Sequence, residues 1–167
     1  IYSNRFELGT NNTNYLLDGD GIVLNFYSNI INLKDQPVIN LTGGSSGNIY
    51  NNTMISTDGE YGLHMVGSDM VVKNNNLVGF TASVYNENST MNFNIAHNNT
   101  WNTSSHYSGS GLPPAIGSMI DVNANGTTSD IYSNISQDPL FVYPDTNNYN
   151  LQASSTLIDA GDANYTD

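Results

Sequence analysis

The sequence predicts an all-β solenoid, a parallel β-helix of about six coils of roughly 23 residues each. Three observations carry that prediction. A motif of the form apolar–any–polar–Asn returns at a near-constant interval. The apolar runs are short and are bounded by Gly, Asn, Ser and Asp. The chain is poor in the Ala, Leu, Glu and Lys that helical repeats need, and rich in Gly, Asn, Thr, Tyr and Val.

The motif begins as Ile1-Tyr2-Ser3-Asn4 and returns as Phe26-Tyr27-Ser28-Asn29 and Ile49-Tyr50-Asn51-Asn52. Val72-Lys73-Asn74-Asn75, Ile95-Ala96-His97-Asn98 and Ile131-Tyr132-Ser133-Asn134 follow. The intervals between Asn4, Asn29, Asn52, Asn75, Asn98 and Asn134 are 25, 23, 23, 23 and 36 residues. The first reads as a two-residue insertion and the last as a thirteen-residue one, placed at about 99–130. A fixed period of this size marks a repeat architecture.

Between the motifs the elements read as short strands and turns. Ile22-Val23-Leu24, Ile30-Ile31, Val38-Ile39 and Val71-Val72 are strand-like runs, and "LTGGSSGN" (41–48) and "VGSDM" (66–70) are turn clusters. A 23-residue rung at roughly 3.3 Å per extended residue gives a perimeter of about 75 Å, enough for two or three strands around a narrow core. In such a coil identical residues fall above one another about 4.8 Å apart. The six asparagines then form a ladder, because each side chain carries both donor and acceptor. Asn also tolerates the left-handed conformation that a sharp corner requires.

Composition limits the partners. Only Arg5, Lys34 and Lys73 are basic, and the formal net charge is −12. Nucleic acid and anionic membrane surfaces both need Lys/Arg patches, so neither is an expected partner. Cysteine is absent, which excludes disulfides and thiolate metal sites. No apolar run approaches the length of a membrane-spanning helix. Asn numbers 28 and Ser plus Thr 32, but 11 Tyr and 5 Phe at periodic positions distinguish the chain from a disordered one. Glycosylation sequons begin at Asn11, Asn40, Asn51, Asn88, Asn98, Asn102, Asn125, Asn134 and Asn164. Ladder positions are expected to be unmodified; Asn11, Asn40, Asn88, Asn102 and Asn125 are the candidates.

The stretch "GNIYNNTMISTDGEYGLHMVGSDMVVKNNNLVG" (47–79) resembles the short repeats of right-handed parallel β-helix proteins, the pectin-lyase-like group. The tail, with Asp138-Pro139-Leu140-Phe141, Tyr149-Asn150-Leu151 and Ile158-Asp159-Ala160-Gly161-Asp162, resembles the closing segment of secreted, adhesin-like β-helix proteins of bacteria and archaea. The resemblance implies one domain, with coils over 1–136 and a closing segment over 137–167. It also implies an extracellular or cell-surface place, and a partner that is a polysaccharide, a surface glycan or further copies of the chain. Ile1 begins inside a coil, so upstream coils, or a neighbouring copy stacked head-to-tail in a filament, are expected to cover that end.

Relatives that cleave acidic polysaccharides use Arg or Lys bases, usually with calcium, or several aspartates with Gly-His-Gly and Arg-x-Lys motifs. None of these motifs is present, so catalysis by a fragment of a lyase or glycoside hydrolase is the alternative and not the main reading. Asp35 and Asp58 each lie nine residues into their rungs, with Glu60 close by. Stacked, they suit a retaining carboxylate pair, half of a calcium site, or turn aspartates splayed into water. Asp159 and Asp162 offer the same choice between cation and turn. His64 falls in the column of Leu41 and reads as packed; His97 falls in the small polar column and reads as a turn residue. In the insertion, Trp101 shares the column of Ile55 and Val78 and reads as core. Tyr107 stays unassigned beside His106, in a loop whose aromatics, Asn and Ser suit sugar stacking.

Overall fold

The computed structural model describes residues 1–8, 15–87 and 94–165, and among these the chain is a parallel β-solenoid. Its strands are β1 (Arg5–Leu8), β2 (Leu17–Asp20), β3 (Val23–Tyr27), β4 (Ile30–Leu33), β5 (Ile39–Thr42), β6 (Ser46–Tyr50), β7 (Thr53–Met65) and β8 (Asp69–Lys73). They continue as β9 (Asn76–Glu87), β10 (Asn94–Ala96), β11 (Asn99–Trp101), β12 (Ser105–Ser110), β13 (Asp121–Val122), β14 (Thr128–Ser129), β15 (Phe141–Tyr143) and β16 (Asn148–Leu151). No helix among the described residues is long and apolar enough to cross a membrane.

Three faces surround the core. The first stacks β3, β6, β8 and β10. The second stacks β1, β4, the start of β7, the start of β9, and β11. The third stacks β2, β5, the ends of β7 and β9, and β12. Register aligns like with like. Phe26, Ile49, Val72 and Ile95 form one inward column; Ile31, Met54 and Leu77 form another; Leu17, Ile39, Leu63, Val84 and Tyr107 form the third. Most of these side chains are completely buried, each contributing about 1.5–3 kcal/mol of hydrophobic transfer free energy.

At the corner between the first and second faces stands the asparagine ladder. Asn29, Asn52, Asn75, Asn98 and Asn134 are all buried. Each Oδ1 accepts the backbone N–H and the side-chain N–H of the asparagine one coil earlier, as in Asn52 N and Nδ2 to Asn75 Oδ1 at 3.1 and 2.9 Å. The Nδ2 groups also donate to two backbone carbonyls, as in Asn75 to Ile49 at 2.9 Å and Lys73 at 3.0 Å. The left-handed residue at the corner is the one before the ladder asparagine: Ser3, Ser28, Asn51, Asn74, His97 and Ser133 have φ between 52° and 62°. The ladder asparagine thus keeps ordinary backbone geometry, and its role is hydrogen bonding. His97 is the turn residue expected.

Four expectations are corrected. The coils number about four, not six, since only four strands stack in the first face. The stations at Tyr2 and Ile131–Asn134 add no further strand to that face: Tyr2 makes an isolated bridge to Tyr27, and Ile135 one to Asn99. The insertion starts later than residue 99, because β11 and β12 still pair with β9 in register. What leaves the coil path is 111–130, and it caps the core: Leu112 and Ile116 pack against the buried cluster. The tail is a strap and not a closing cap. Its β15–β16 hairpin and following turns run back along the coils, where Tyr149 meets Asn32 Nδ2 at 2.6 Å and Asp162 meets Lys73 Nζ at 3.1 Å. The cap is apolar enough to cover core ends; the tail, rich in Asn, Asp and Tyr, instead finds polar corner residues.

Candidate functional site: tyrosines and a histidine among carboxylates

The period breaks in β7. Leu33 pairs with Ser56, but Ile39 pairs with Leu63, so the third coil holds one residue more than the second. Against the fourth coil it holds two more, since Ile55 pairs with Val78 and Gly59 with Phe80. The extra residues lie over Thr57–Glu60, three of which are exposed while Gly59 is buried. The bulge re-phases everything after it. Leu41 therefore pairs with Met65, and His64 stacks on Asn40, facing outward. The column count that put His64 with Leu41 missed this single added residue.

On the outer side of the third face one column runs Asp18, Asn40, His64, Tyr85 and Ser108. Tyr61 adjoins it, its ring stacked on that of Tyr85 with centroids 4.8 Å apart. His64 lies 5.1 Å from the Tyr61 ring and 5.3 Å from that of Tyr85. Tyr15 reaches over from an earlier coil and places its hydroxyl 2.8 Å from His64 Nδ1. His64 Nε2 lies 3.5 Å from Glu87 Oε1 without a well-formed hydrogen bond. Asn40 donates to Asp18 at 2.7 Å, while its own Oδ1 is buried without a partner. Tyr85's next neighbour in the column is the small Ser108, which leaves that side of the ring less crowded than the Tyr61 side.

Carboxylates surround these rings. Burial, followed by the charges of Glu60, Asp18 and Glu87, pushes the Tyr15 hydroxyl up to about 12. A hydrogen bond to Glu60, with burial next, pushes Tyr61 to about 12 as well. Both phenols are therefore firmly protonated at neutral pH. They donate hydrogen bonds and are poor bases.

The other sequence candidates lie apart from this cluster or play other parts. Asp35 sits in a left-handed corner and accepts from Thr57 Oγ1 at 3.1 Å, so its nearest polar partner is a hydroxyl. Asp58 is exposed on the bulge. Among the described residues no three His, Asp or Glu side chains gather as a metal set. Of Asp35, Asp58 and Glu60, Glu60 alone joins the tyrosine cluster. Asp159 is a left-handed turn residue. Asp162 holds the strap; the Asn164 N–H, then Lys73, draw its carboxyl down to about 2.

Trp101 does share its column with Ile55 and Val78, but that column faces outward and Trp101 is half-buried, not core. With Asn102, Thr103, Ser104, His106 and Ser136 it lines a shallow pocket. His106 Nδ1 lies 2.8 Å from Thr100 Oγ1, and burial lowers the His106 pKa. Tyr107 belongs to the core column, with its hydroxyl buried and its pKa pushed well up by burial. A second cavity, of about 300 Å³, lies under the strap against Asn51, Asn74 and Asn99.

Of the sequon asparagines, Asn98 and Asn134 are completely buried. Asn40 and Asn125 use their amides on Asp18 and on the Thr156 and Ile158 carbonyls. Asn102 is exposed. Asn11 and Asn88 lie outside the described residues.

Asp130 was not legible beforehand. Its buried carboxylate ends the ladder, accepting from Asn134 N at 2.9 Å and Asn134 Nδ2 at 3.0 Å. It also accepts from Tyr132 N and Gly117 N, which ties the cap to the ladder. The available signal was an Asp four residues before the last ladder asparagine.

Fold and site together define a parallel β-solenoid with an outward aromatic and acidic patch. Against known proteins, no family model, no curated sequence and no solved structure matches this chain.

Proposed function

We propose that this chain is an extracellular, adhesin-like surface solenoid that binds glycans through the Tyr15–Tyr61–His64–Tyr85 cluster and does not cleave them. The observation that carries the reading is the gathering of three tyrosines and a histidine, beside Glu60 and Glu87, on an outward column that the bulge has re-phased. Rings beside hydrogen-bonding groups suit sugars, which present C–H faces and hydroxyl edges together. Such a site needs a few convergent polar groups and a rigid base, and the stacked sheet supplies the base. The abundance of sequons agrees with a surface protein of this kind. So do the repeat and tail motifs, which resemble those of secreted pectin-lyase-like and adhesin-like proteins.

The test is a glycan array, with and without calcium, for the native chain and for Tyr85→Ala. The native chain should retain a defined glycan group, and the variant should lose about tenfold in affinity, roughly 1.4 kcal/mol. Retention of no glycan, or equal retention by the variant, would overturn the reading. A reducing-sugar and unsaturated-product assay on the retained glycans separates binding from cleavage. The Tyr15–His64–Glu87 chain of contacts is the feature that favours cleavage as the second reading.

A further inference from the structure

We infer that the ligand of this cluster carries positive charge: it is an oligosaccharide with free amino groups, of the 2-amino-2-deoxyhexose type. The inference rests on the glycan reading above. It begins from the charges at the site. Asp18 accepts from Asn40 at 2.7 Å, Glu87 Oε1 lies 3.5 Å from His64 Nε2, and Glu60 directly precedes Tyr61; Asp20 stands two residues along β2 from Asp18, accepting from Thr42 at 2.7 Å. The chain's three basic residues stand at other places. Lys73 is engaged by Asp162 and lies over the Tyr165 ring. Arg5 lies over Tyr149 in the strap. Lys34 is exposed at the corner beside Asp35. A uronate chain would meet carboxylates with nothing to pair it, and like-charge juxtaposition is a strong means of rejecting a partner.

The site also suits a donor-rich ligand. A sugar ammonium offers three N–H donors and no acceptor, and Glu60 and Glu87 are exposed carboxylates that can accept them. The rings supply the second element. Tyr61 and Tyr85 are stacked and His64 and Tyr15 close in beside them, so a cation at this patch meets aromatic density as well as carboxylate. An N-acetyl group removes the charge and two of the donors while leaving the ring of the sugar intact. The discrimination should therefore fall on the nitrogen.

The experiment is calorimetric titration of the full chain with four probes at low salt. These are a glucosamine tetramer, its fully N-acetylated counterpart, a galacturonate tetramer and spermine. The expected result is that the glucosamine tetramer binds at least tenfold tighter than the N-acetylated one, with no binding of galacturonate and weaker binding of spermine. The double variant Glu60→Gln with Glu87→Gln keeps side-chain volume. It should lose at least tenfold for the glucosamine tetramer and change little for the N-acetylated one. Equal or tighter binding of the N-acetylated or galacturonate tetramer overturns the inference and leaves the glycan reading standing. Spermine binding as tightly as the amino sugar overturns the saccharide class. If no saccharide binds here and none is retained on the array, the glycan reading falls with it.

Discussion

Replacing Asn52 by alanine isolates what the ladder contributes to stability. Asn52 is 1% exposed, and its Oδ1 accepts from Asn29 N and Asn29 Nδ2, both at 3.0 Å. Its Nδ2 donates to Phe26 O at 2.9 Å, Tyr50 O at 3.0 Å and Asn75 Oδ1 at 2.9 Å. Not every partner is orphaned by the change. Asn29 Nδ2 keeps the Tyr27 carbonyl, Asn75 Oδ1 keeps Asn52 N, and Tyr50 O keeps Ser28 N. The Asn29 N–H is left without an acceptor in a buried corner, at about 1–3 kcal/mol, and losing the two Nδ2 hydrogens shared among Phe26, Tyr50 and Asn75 adds about 0.5–1 kcal/mol for each hydrogen. The expected loss is about 2–5 kcal/mol, a large part of a typical domain's stability. Urea unfolding followed by circular dichroism measures it. The control is Asn48→Ala, which removes an exposed 2.8 Å bond to Asn25 and should cost under about 1 kcal/mol. Equal losses for the two variants would refute the claim that the buried ladder carries this energy.

Asp130→Ala removes the acceptor that ends the ladder and holds Gly117 N; a loss of about 3–5 kcal/mol is expected, with faster proteolysis within 111–129, and Asp130→Asn should recover part of both. Asp162 is held down to about 2 in the folded chain, so its contribution to docking the strap is fully present above its ordinary carboxylate range and is lost as pH falls through about 2. Hydrogen exchange at Ala160–Tyr165 should therefore accelerate below about pH 3 while the ladder amides stay protected, and Lys73→Met should move the onset to higher pH. In a host that glycosylates, glycopeptide mass spectrometry should find sugar on Asn102 and none on Asn98 or Asn134, whose side chains are buried and bonded.

The sequence made the ladder legible because its spacing is set by the backbone of the coil. Every residue inserted between two stations must be absorbed in a loop, so the motif survives insertions elsewhere. Strand faces were legible for the same reason wherever the interval held at 23. His64 was misplaced because a bulge shifts phase without changing the distance between ladder stations: Asn52 and Asn75 remain 23 residues apart. One residue gained before β7's second half is given back before Asn75. Trp101 was placed in the right column but on the wrong side of the sheet, since a column shared with Ile55 and Val78 says nothing of which way it points when all three are half-buried. The tail runs as a strap, and the segment read as a projecting loop covers the core, because motif resemblance does not report where polar and apolar side chains find partners.

The placement of the cluster follows from that same bulge. A strictly periodic solenoid repeats one surface coil after coil, and such a surface offers no particular place for a ligand. Specific recognition needs side chains from different coils brought to one point with different chemistry. Here the added residues near Thr57 and Asp58 turn Glu60 and Tyr61 outward and set His64 beside Asn40, while the shorter fourth coil brings Tyr85 directly over His64. Bulges are known to re-aim side chains and to gather near functional sites. The corner opposite remains strictly periodic, with each ladder asparagine bonded to the next. A buried polar column that tolerates no change in register thus fixes the frame on one side. The residues gained and lost on the other side are then free to differ from coil to coil, and the site is built from those differences.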